Sequence, residues 1–191
     1  MQVSPVKRAF DLILSAIGLV LAAPVILGCV IAVRLDSSGP AIFRQIRVGR
    51  HEKPFTCLKL RTMYQDTRHA PSHEVGVSSV TEIGKHLRRL KLDELPQLWN
   101  ILVGEMSFVG PRPCLPSQID LVEARRQHGL HRIRPGMTGI SQVAGIDMSD
   151  PERLASLDAT YLHKMSIATD IRLIAATMLG SGQGDRVDSE K

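Results

Sequence analysis

The sequence predicts an α+β fold: a membrane-embedded N-terminal helix, a small β-hairpin and amphipathic interfacial helices forming one compact domain. Three observations carry this. The stretch from Leu12 to Val33 holds no charged side chain. Residues 41–48 and 54–61 are strand-like and flank a polar connection, Gly49 to Lys53, which is the pattern of a hairpin. Further on, apolar residues recur at helical spacing beside dense runs of cations. The organisation that follows is a membrane helix over 1–36, a compact domain over 37–180 and a flexible tail over 181–191. At 191 residues there is room for one sizeable core.

The uncharged stretch comes first. At 1.5 Å per residue it makes a helix of about 33 Å, against a hydrocarbon core of roughly 30 Å. A cleaved leader ending at Cys29 fits poorly, because Val30-Ile31-Ala32-Val33 continues the apolar run. Cations flank both ends (Lys7 and Arg8 before, Arg34 after), and Pro24 deletes a helical hydrogen bond near the middle. A spanning helix and a re-entrant one, bent at Ala23-Pro24, both remain open on these residues.

Asp36-Ser37-Ser38-Gly39-Pro40 ends this helix with turn chemistry and leads into the hairpin. On the second strand Lys59 and Arg61 alternate with Leu58 and Leu60, so both cations project from one face, either into solvent or toward an anion. Residues 64–80 are polar and aperiodic, a loop. His69 and His73 within it lie i, i+4, but Pro71 intervenes and no third metal ligand is evident, which makes them surface residues. From Thr81 to Lys91, Ile83, Leu87 and Leu90 share a face while Lys85, His86, Arg88, Arg89 and Lys91 fill the rest. That is a basic amphipathic helix suited to a lipid surface.

Leu92-Asp93-Glu94-Leu95-Pro96-Gln97-Leu98-Trp99-Asn100 follows. Apolar residues at 95, 98, 99 and 102 mark a helix with one buried face, with Asp93 as its N-cap and Pro96 in its first turn. Carboxylates at a helix N-terminus stay ionised, so the pair reads as an ordinary cap or as a nucleophile and a metal ligand. Beyond it, Pro111 and Pro113 fix the backbone around Arg112, a guanidinium suited to phosphate. Arg134 to Gly139 is a second rigid loop, a helix runs from the Asp150 cap to about Met165, and a last one covers Asp170 to Leu179.

The net charge of +5 calls for anionic partners, but aromatics at 4% are too few for a single-strand stacking platform and no reading helix is apparent, so nucleic acid is excluded. Three scattered cysteines, Cys29, Cys57 and Cys114, exclude a disulfide framework and a zinc ribbon. A structural membrane scaffold would need neither Asp93-Glu94 nor Arg112.

Taken in order, the motifs Lys7-Arg8-x-x-Asp11, Pro24, Lys59-Leu60-Arg61-Thr62-Met63, Leu92-Asp93-Glu94-Leu95-Pro96-Gln97, Met106-Ser107-Phe108-Val109-Gly110-Pro111-Arg112-Pro113 and Arg134-Pro135-Gly136-x-Thr138-Gly139 resemble those of the bacterial sugar transferases called monotopic phosphoglycosyl transferases, in their small form. The resemblance runs from about residue 7 to residue 180. It implies transfer of a sugar-1-phosphate from a UDP-sugar to polyprenyl (undecaprenyl) phosphate, with release of UMP, at the cytoplasmic face of the bacterial inner membrane. The product is the first lipid-linked intermediate of a polysaccharide or glycoprotein glycan. It also implies Asp93 as nucleophile, Glu94 as ligand of an essential Mg2+, and Lys59, Arg61 and Arg112 as substrate-phosphate partners. Lys7, Arg8, Pro24 and Arg88 are then membrane and headgroup residues. A homodimer is left open.

Two departures stand out. The family's bend is a Ser-Pro pair, here Ala23-Pro24. Many relatives follow the last motif with Trp-Ala-Gln-Val-Asn-Gly-Arg, where this chain has Ile140-Ser141-Gln142-Val143-Ala144-Gly145-Ile146. If Gln142 and its neighbours touch the sugar, that change favours a less polar one, such as a deoxy acetamido sugar. The family's re-entrant helix implies that both chain ends share one side of the membrane. Cysteines introduced at Gln2 and Asp185 are therefore expected to react with an impermeant maleimide from the same side; labelling from opposite sides would establish a spanning helix.

Overall fold

The structure, a computed structural model, describes residues 4–65, 67, 79–146 and 148–181. Ser4 opens the chain's first helix by accepting a hydrogen bond from the Val6 amide at 3.3 Å, and Pro5 takes the first position, where a missing N–H costs nothing. Helix α1 then runs as one element, Pro5–Asp36, with Pro24 inside it. By length and composition it is the one helix among the described residues able to cross a membrane. Its outer face is apolar and bare: Val20 and Leu21 are 74% and 71% exposed.

Both ends of α1 are tied to the rest of the protein. Near its start, Lys7 pairs with the buried Asp170 at 2.6 Å, and Tyr161 donates to the same carboxylate at 2.5 Å. Arg8 donates to the carbonyls of Ile101 and Leu102, both at 2.7 Å, and Asp11 accepts from the Phe108 amide at 3.2 Å. Lys7 and Arg8, expected at the lipid headgroups, are thus turned inward, because buried carbonyls and a carboxylate claim their charges. At the far end Val33 packs with Ala41, Leu60 and Leu87 in a small apolar cluster.

The expected hairpin forms: β1 (Ile42–Val48) pairs antiparallel with β2 (Pro54–Leu60), from Ile42 opposite Leu60 to Val48 opposite Pro54. Met63 bridges Val80, closing the base of the loop expected over 64–80. His69 and His73 lie outside the described residues, as does the tail beyond Ser181. The basic helix appears as α2 (Glu82–Arg89), capped by the Thr81 hydroxyl on the Gly84 amide at 3.0 Å. Leu87 is buried in it, but Leu90 is 63% exposed.

The acidic motif departs from expectation. Lys91 adopts a left-handed conformation (φ 56°), and Leu92–Glu94 forms a 3-10 turn that leads through Leu95 and Pro96 into α3 (Gln97–Val103). Asp93 is not the N-cap. Because Pro96 lacks an N–H, the first turns close by three-residue bonds (Leu95 to Leu92, Leu98 to Leu95, Trp99 to Pro96), and both carboxylates sit inside that tight turn. The buried face of α3 is also rotated: Leu98 and Ile101 enter the core, while Trp99 is 52% exposed.

The two glycine- and proline-rich loops meet. Ser107–Val109 (β3) and Gly136–Thr138 (β4) form a parallel pair, too short for any periodicity to show in the sequence. Their approach requires glycine: a Cβ on Gly136 would stand 2.1 Å from the Gly110 nitrogen. Helices α4 (Ile119–Gln127) and α5 (Ile140–Val143), not anticipated, precede α6 (Pro151–Lys164) and α7 (Ile167–Met178), which lie close to expectation. Asp150 caps α6 and Ser166 caps α7. The main core joins Phe55 and Cys57 of β2 with Leu98, Ile101, Phe108, Ala155, Tyr161 and Leu173, stacking the hairpin, α3, β3 and the last two helices.

A buried polar cluster locks α4, α5 and α6 together. Asp158 accepts from Ser141 at 2.6 Å and pairs with Arg125 at 3.4 Å. Burial pushes the Asp158 carboxyl above its ordinary value, against the opposing pull of Arg125 and Ser141. With the folded pKa raised, the folded chain binds this proton more tightly than the unfolded one. Stability therefore falls as pH climbs from the ordinary aspartate value of about 3.9 toward the folded value. Asp158→Asn is expected to remove that component of the pH dependence of Tm; an unchanged slope would assign it elsewhere.

Candidate active site

The hairpin, the C-terminal ends of α1 and α2, residues 62–65 and 67, and the acidic turn surround a cavity of about 590 Å³. Its wall carries the cations Arg34, Arg44, Arg47, Lys59, Arg61 and Arg88, and the carboxylate of Asp93. Ala41, Ile42, Phe43 and Leu60 supply an apolar side. A cavity with that excess of positive charge is built for a multiply charged anion, and low-dielectric walls strengthen each pairing.

Asp93 is only 6% exposed and Glu94 9%. Glu94 stands behind the wall, and its Oε1 accepts from Arg112 at 2.6 Å and from Lys59 at 3.2 Å. One carboxylate oxygen thus gathers a cation from β2 and another from the loop after β3. The Arg112 loop is clamped beyond its prolines. Arg125 donates to the Arg112 carbonyl at 2.8 Å, and Arg47 donates to the Pro113 carbonyl at 3.0 Å. The thiol nearest this region, Cys57, is 2% exposed, and burial pushes its pKa up, so it is not a ready nucleophile.

The other expected site residues divide. Arg88 lines the cavity and donates to Thr62 Oγ1 at 2.8 Å, so it faces the site as well as being near the surface. Arg61 lines the cavity too, but its guanidinium is occupied by the end of α1. It donates to the carbonyls of Ser38 and, at 2.7 Å, Ser37, and to Ser37 Oγ at 3.0 Å. It serves as a C-terminal helix cap, because those carbonyls have no partner within the helix. Gln142 is not among the lining residues; it donates to the Met137 carbonyl at 3.2 Å within its own loop. Pro24 is exposed on α1. Arg34, Arg44 and Arg47 were missed. Arg44 and Arg47, three positions apart on a strand, fall on opposite faces, so no periodicity points to a shared site.

No group of three acidic, histidine or cysteine side chains that could cage a metal occurs among the described residues. Two adjacent carboxylates suit magnesium in its other mode, in which one or two acids hold the ion and substrate phosphates complete the shell.

An acidic pair beside a cationic, part-apolar cavity suits a multiply charged anion, set against a helix of membrane-crossing length. The chain belongs to the bacterial sugar transferase family, whose model matches residues 2–183. It is 40% identical over 186 residues to an undecaprenyl-phosphate glucose phosphotransferase of Komagataeibacter xylinus, covering 90% of this chain and 35% of that one. It is 37% identical over 182 residues to a UDP-glucose:undecaprenyl-phosphate glucose-1-phosphate transferase of Caulobacter vibrioides, covering 90% and 68%. It is also 37% identical over 190 residues to an exopolysaccharide production protein of Rhizobium leguminosarum bv. phaseoli, covering 91% and 93%. The chain therefore spans about a third of the first relative's length and most of the last.

Arg61 and Arg112 are both guanidinium groups near the acidic turn, but their partners differ. Arg61→Lys is expected to lower Tm by uncapping α1 and to leave the affinity for UDP within about twofold. Arg112→Lys, losing a forked donor, is expected to weaken UDP about tenfold or more. Calorimetry on both variants checks this, and equal loss of UDP affinity would return Arg61 to the ligand.

Proposed function

We propose that this protein transfers a sugar-1-phosphate from a UDP-sugar to a polyprenyl phosphate through a covalent phosphosugar on Asp93. The observation that carries the reading is the buried Asp93 carboxylate on the wall of the cationic cavity, in a chain of this family. The names of the Komagataeibacter and Caulobacter relatives support undecaprenyl phosphate as acceptor, and that of the second supports a UDP-sugar as donor.

In the first step an Asp93 carboxylate oxygen attacks the β-phosphorus of the donor. The bond from that phosphorus to the bridging oxygen breaks, and UMP leaves with its electron pair. In the second step a phosphate oxygen of the polyprenyl phosphate attacks the same phosphorus, the acyl-phosphate bond breaks, and the Asp93 carboxylate is restored. Lys59 and Arg112 hold the charge on the phosphate oxygens, and Arg88 receives phosphate at the cavity wall. Glu94 would hold magnesium together with the diphosphate, and the ion would supply charge neutralisation of the departing UMP. The same Glu94 orients Lys59 and Arg112.

The acceptor is a lipid, so the site has to lie at a membrane. Support for a monotopic, re-entrant arrangement comes from α1: one end is held by Asp170 and the other by Arg61, both parts of the same folded unit. A helix crossing the bilayer would leave its ends about 30 Å apart on opposite sides. Trp99 and Val103 of α3 and Ile171 and Met178 of α7 add further exposed apolar side chains. The side from which the chain acts is then the cytoplasmic face of the inner membrane, where UDP-sugars reside.

Incubation with a labelled UDP-sugar and magnesium, without lipid acceptor, is expected to release UMP and leave a hydroxylamine-sensitive phosphosugar on Asp93. Asp93→Asn is expected to form none. An adduct on another residue, or full turnover by Asp93→Asn, would overturn the mechanism. The donor is read in the same assay by comparing UDP-glucose with UDP-N-acetylgalactosamine.

A further inference from the structure

Among the described residues the β1–β2 sheet has two strands, so the outer edge of β2 faces the protein interior with backbone groups that no third strand pairs. One side chain completes that edge. Asn100 of α3, 1% exposed, donates through Nδ2 to the Thr56 carbonyl at 2.8 Å and accepts through Oδ1 from the Leu58 amide at 3.1 Å. Its second N–H goes to Glu105 Oε2 at 2.6 Å. A primary amide carries a donor and an acceptor side by side, so it can stand in for one residue of a neighbouring strand. Aspartate lacks the donor, leucine lacks both, and glutamine is one methylene too long for the same approach.

The location of this clamp gives it a role in the chemistry. Leu58 immediately precedes Lys59, and α3 follows directly from the turn that carries Asp93 and Glu94. Asn100 is therefore a direct polar tie between the strand bearing the cation and the helix that continues from the acidic turn. In a strand, a slip of one residue would turn Lys59 to the opposite face and part it from Glu94.

We propose that Asn100 is a positioning residue for phosphate transfer: by pairing with Thr56 and Leu58 it sets the register of β2 that brings Lys59 to Glu94 and the cavity. This rests on the reading that Lys59 and Glu94 act on the donor diphosphate.

The test is a double-mutant cycle on the full chain in detergent, with UDP-glucose, magnesium and undecaprenyl phosphate, read as UMP release. Asn100→Ala is expected to lower kcat/KM about tenfold in the parent chain and less than about twofold in a Lys59→Met background. The loss of Tm is expected to be the same in both backgrounds, which separates positioning from stability. The cycle is run in parallel with Asn100→Asp, which keeps the acceptor for Leu58, so the outcome does not hang on the alanine variant folding. Equal fractional losses of kcat/KM in the two backgrounds would overturn the inference and leave the proposed reaction standing. A chain that releases no UMP from UDP-glucose, UDP-galactose or UDP-N-acetylgalactosamine would overturn the reaction and the inference together.

Discussion

The Oε1 atom of Glu94 accepts from Arg112 at 2.6 Å and from Lys59 at 3.2 Å, and the rest of the site depends on that convergence. It joins the turn before α3, the strand β2 and the proline-flanked loop after β3. Each partner is largely removed from water, so deleting one leaves the others as uncompensated charges. For a buried pair this costs roughly 3–5 kcal/mol. Such an arrangement holds cations at fixed distances before a substrate arrives. Asp93, next in sequence to Glu94, is aimed into the cavity by the same turn.

Much of the remaining polar architecture braces this point. Arg125 and Arg47 hold the carbonyls of Arg112 and Pro113, and Asp158 with Ser141 holds Arg125. Asn100 holds β2. The chain thus spends buried polar groups on placing two charges, and every one named here has a hydrogen-bonded partner. The result is a braced cradle of charge, in which an arriving anion requires little reorganisation.

Helix α1 is the second organising element. Among the described residues nothing covers its apolar outer face, yet Lys7, Arg8 and Asp11 at one end and the Arg61 contacts at the other hold it down. The cations that flank the apolar run are therefore divided. Lys7 and Arg8 are used within the protein, whereas Arg34 lines the cavity. Charge beside an apolar helix is read from sequence as a headgroup contact, and here the folded unit competes for that charge and wins at one end.

Local features were legible in the sequence. Helix α1, the hairpin, the Thr81 and Asp150 caps and the rigidity around Arg112 follow from short-range rules of hydrophobic period, turn residues and capping, each involving neighbours a few positions apart. The acidic pair and Arg112 also stood out as candidates. What sequence reasoning misjudged was partnership. Lys59 and Arg61, two residues apart on the same face, part company: one meets Glu94 and the other caps α1. Gln142 donates to the Met137 carbonyl within its own loop, and nothing local in the sequence marks Arg44 and Arg47 as cavity residues. Only tertiary structure decides such matters, because the pairs that make the site are separated by 35 positions for Lys59 and Glu94, and the pair that docks α1 by 163. Sequence determined the long apolar helix, the hairpin and the capped helices, and it singled out Asp93, Glu94 and Arg112 as candidates. Burial decided which charges meet, since a cation drawn out of water goes to whichever carboxylate or orphan carbonyl the packing brings within reach.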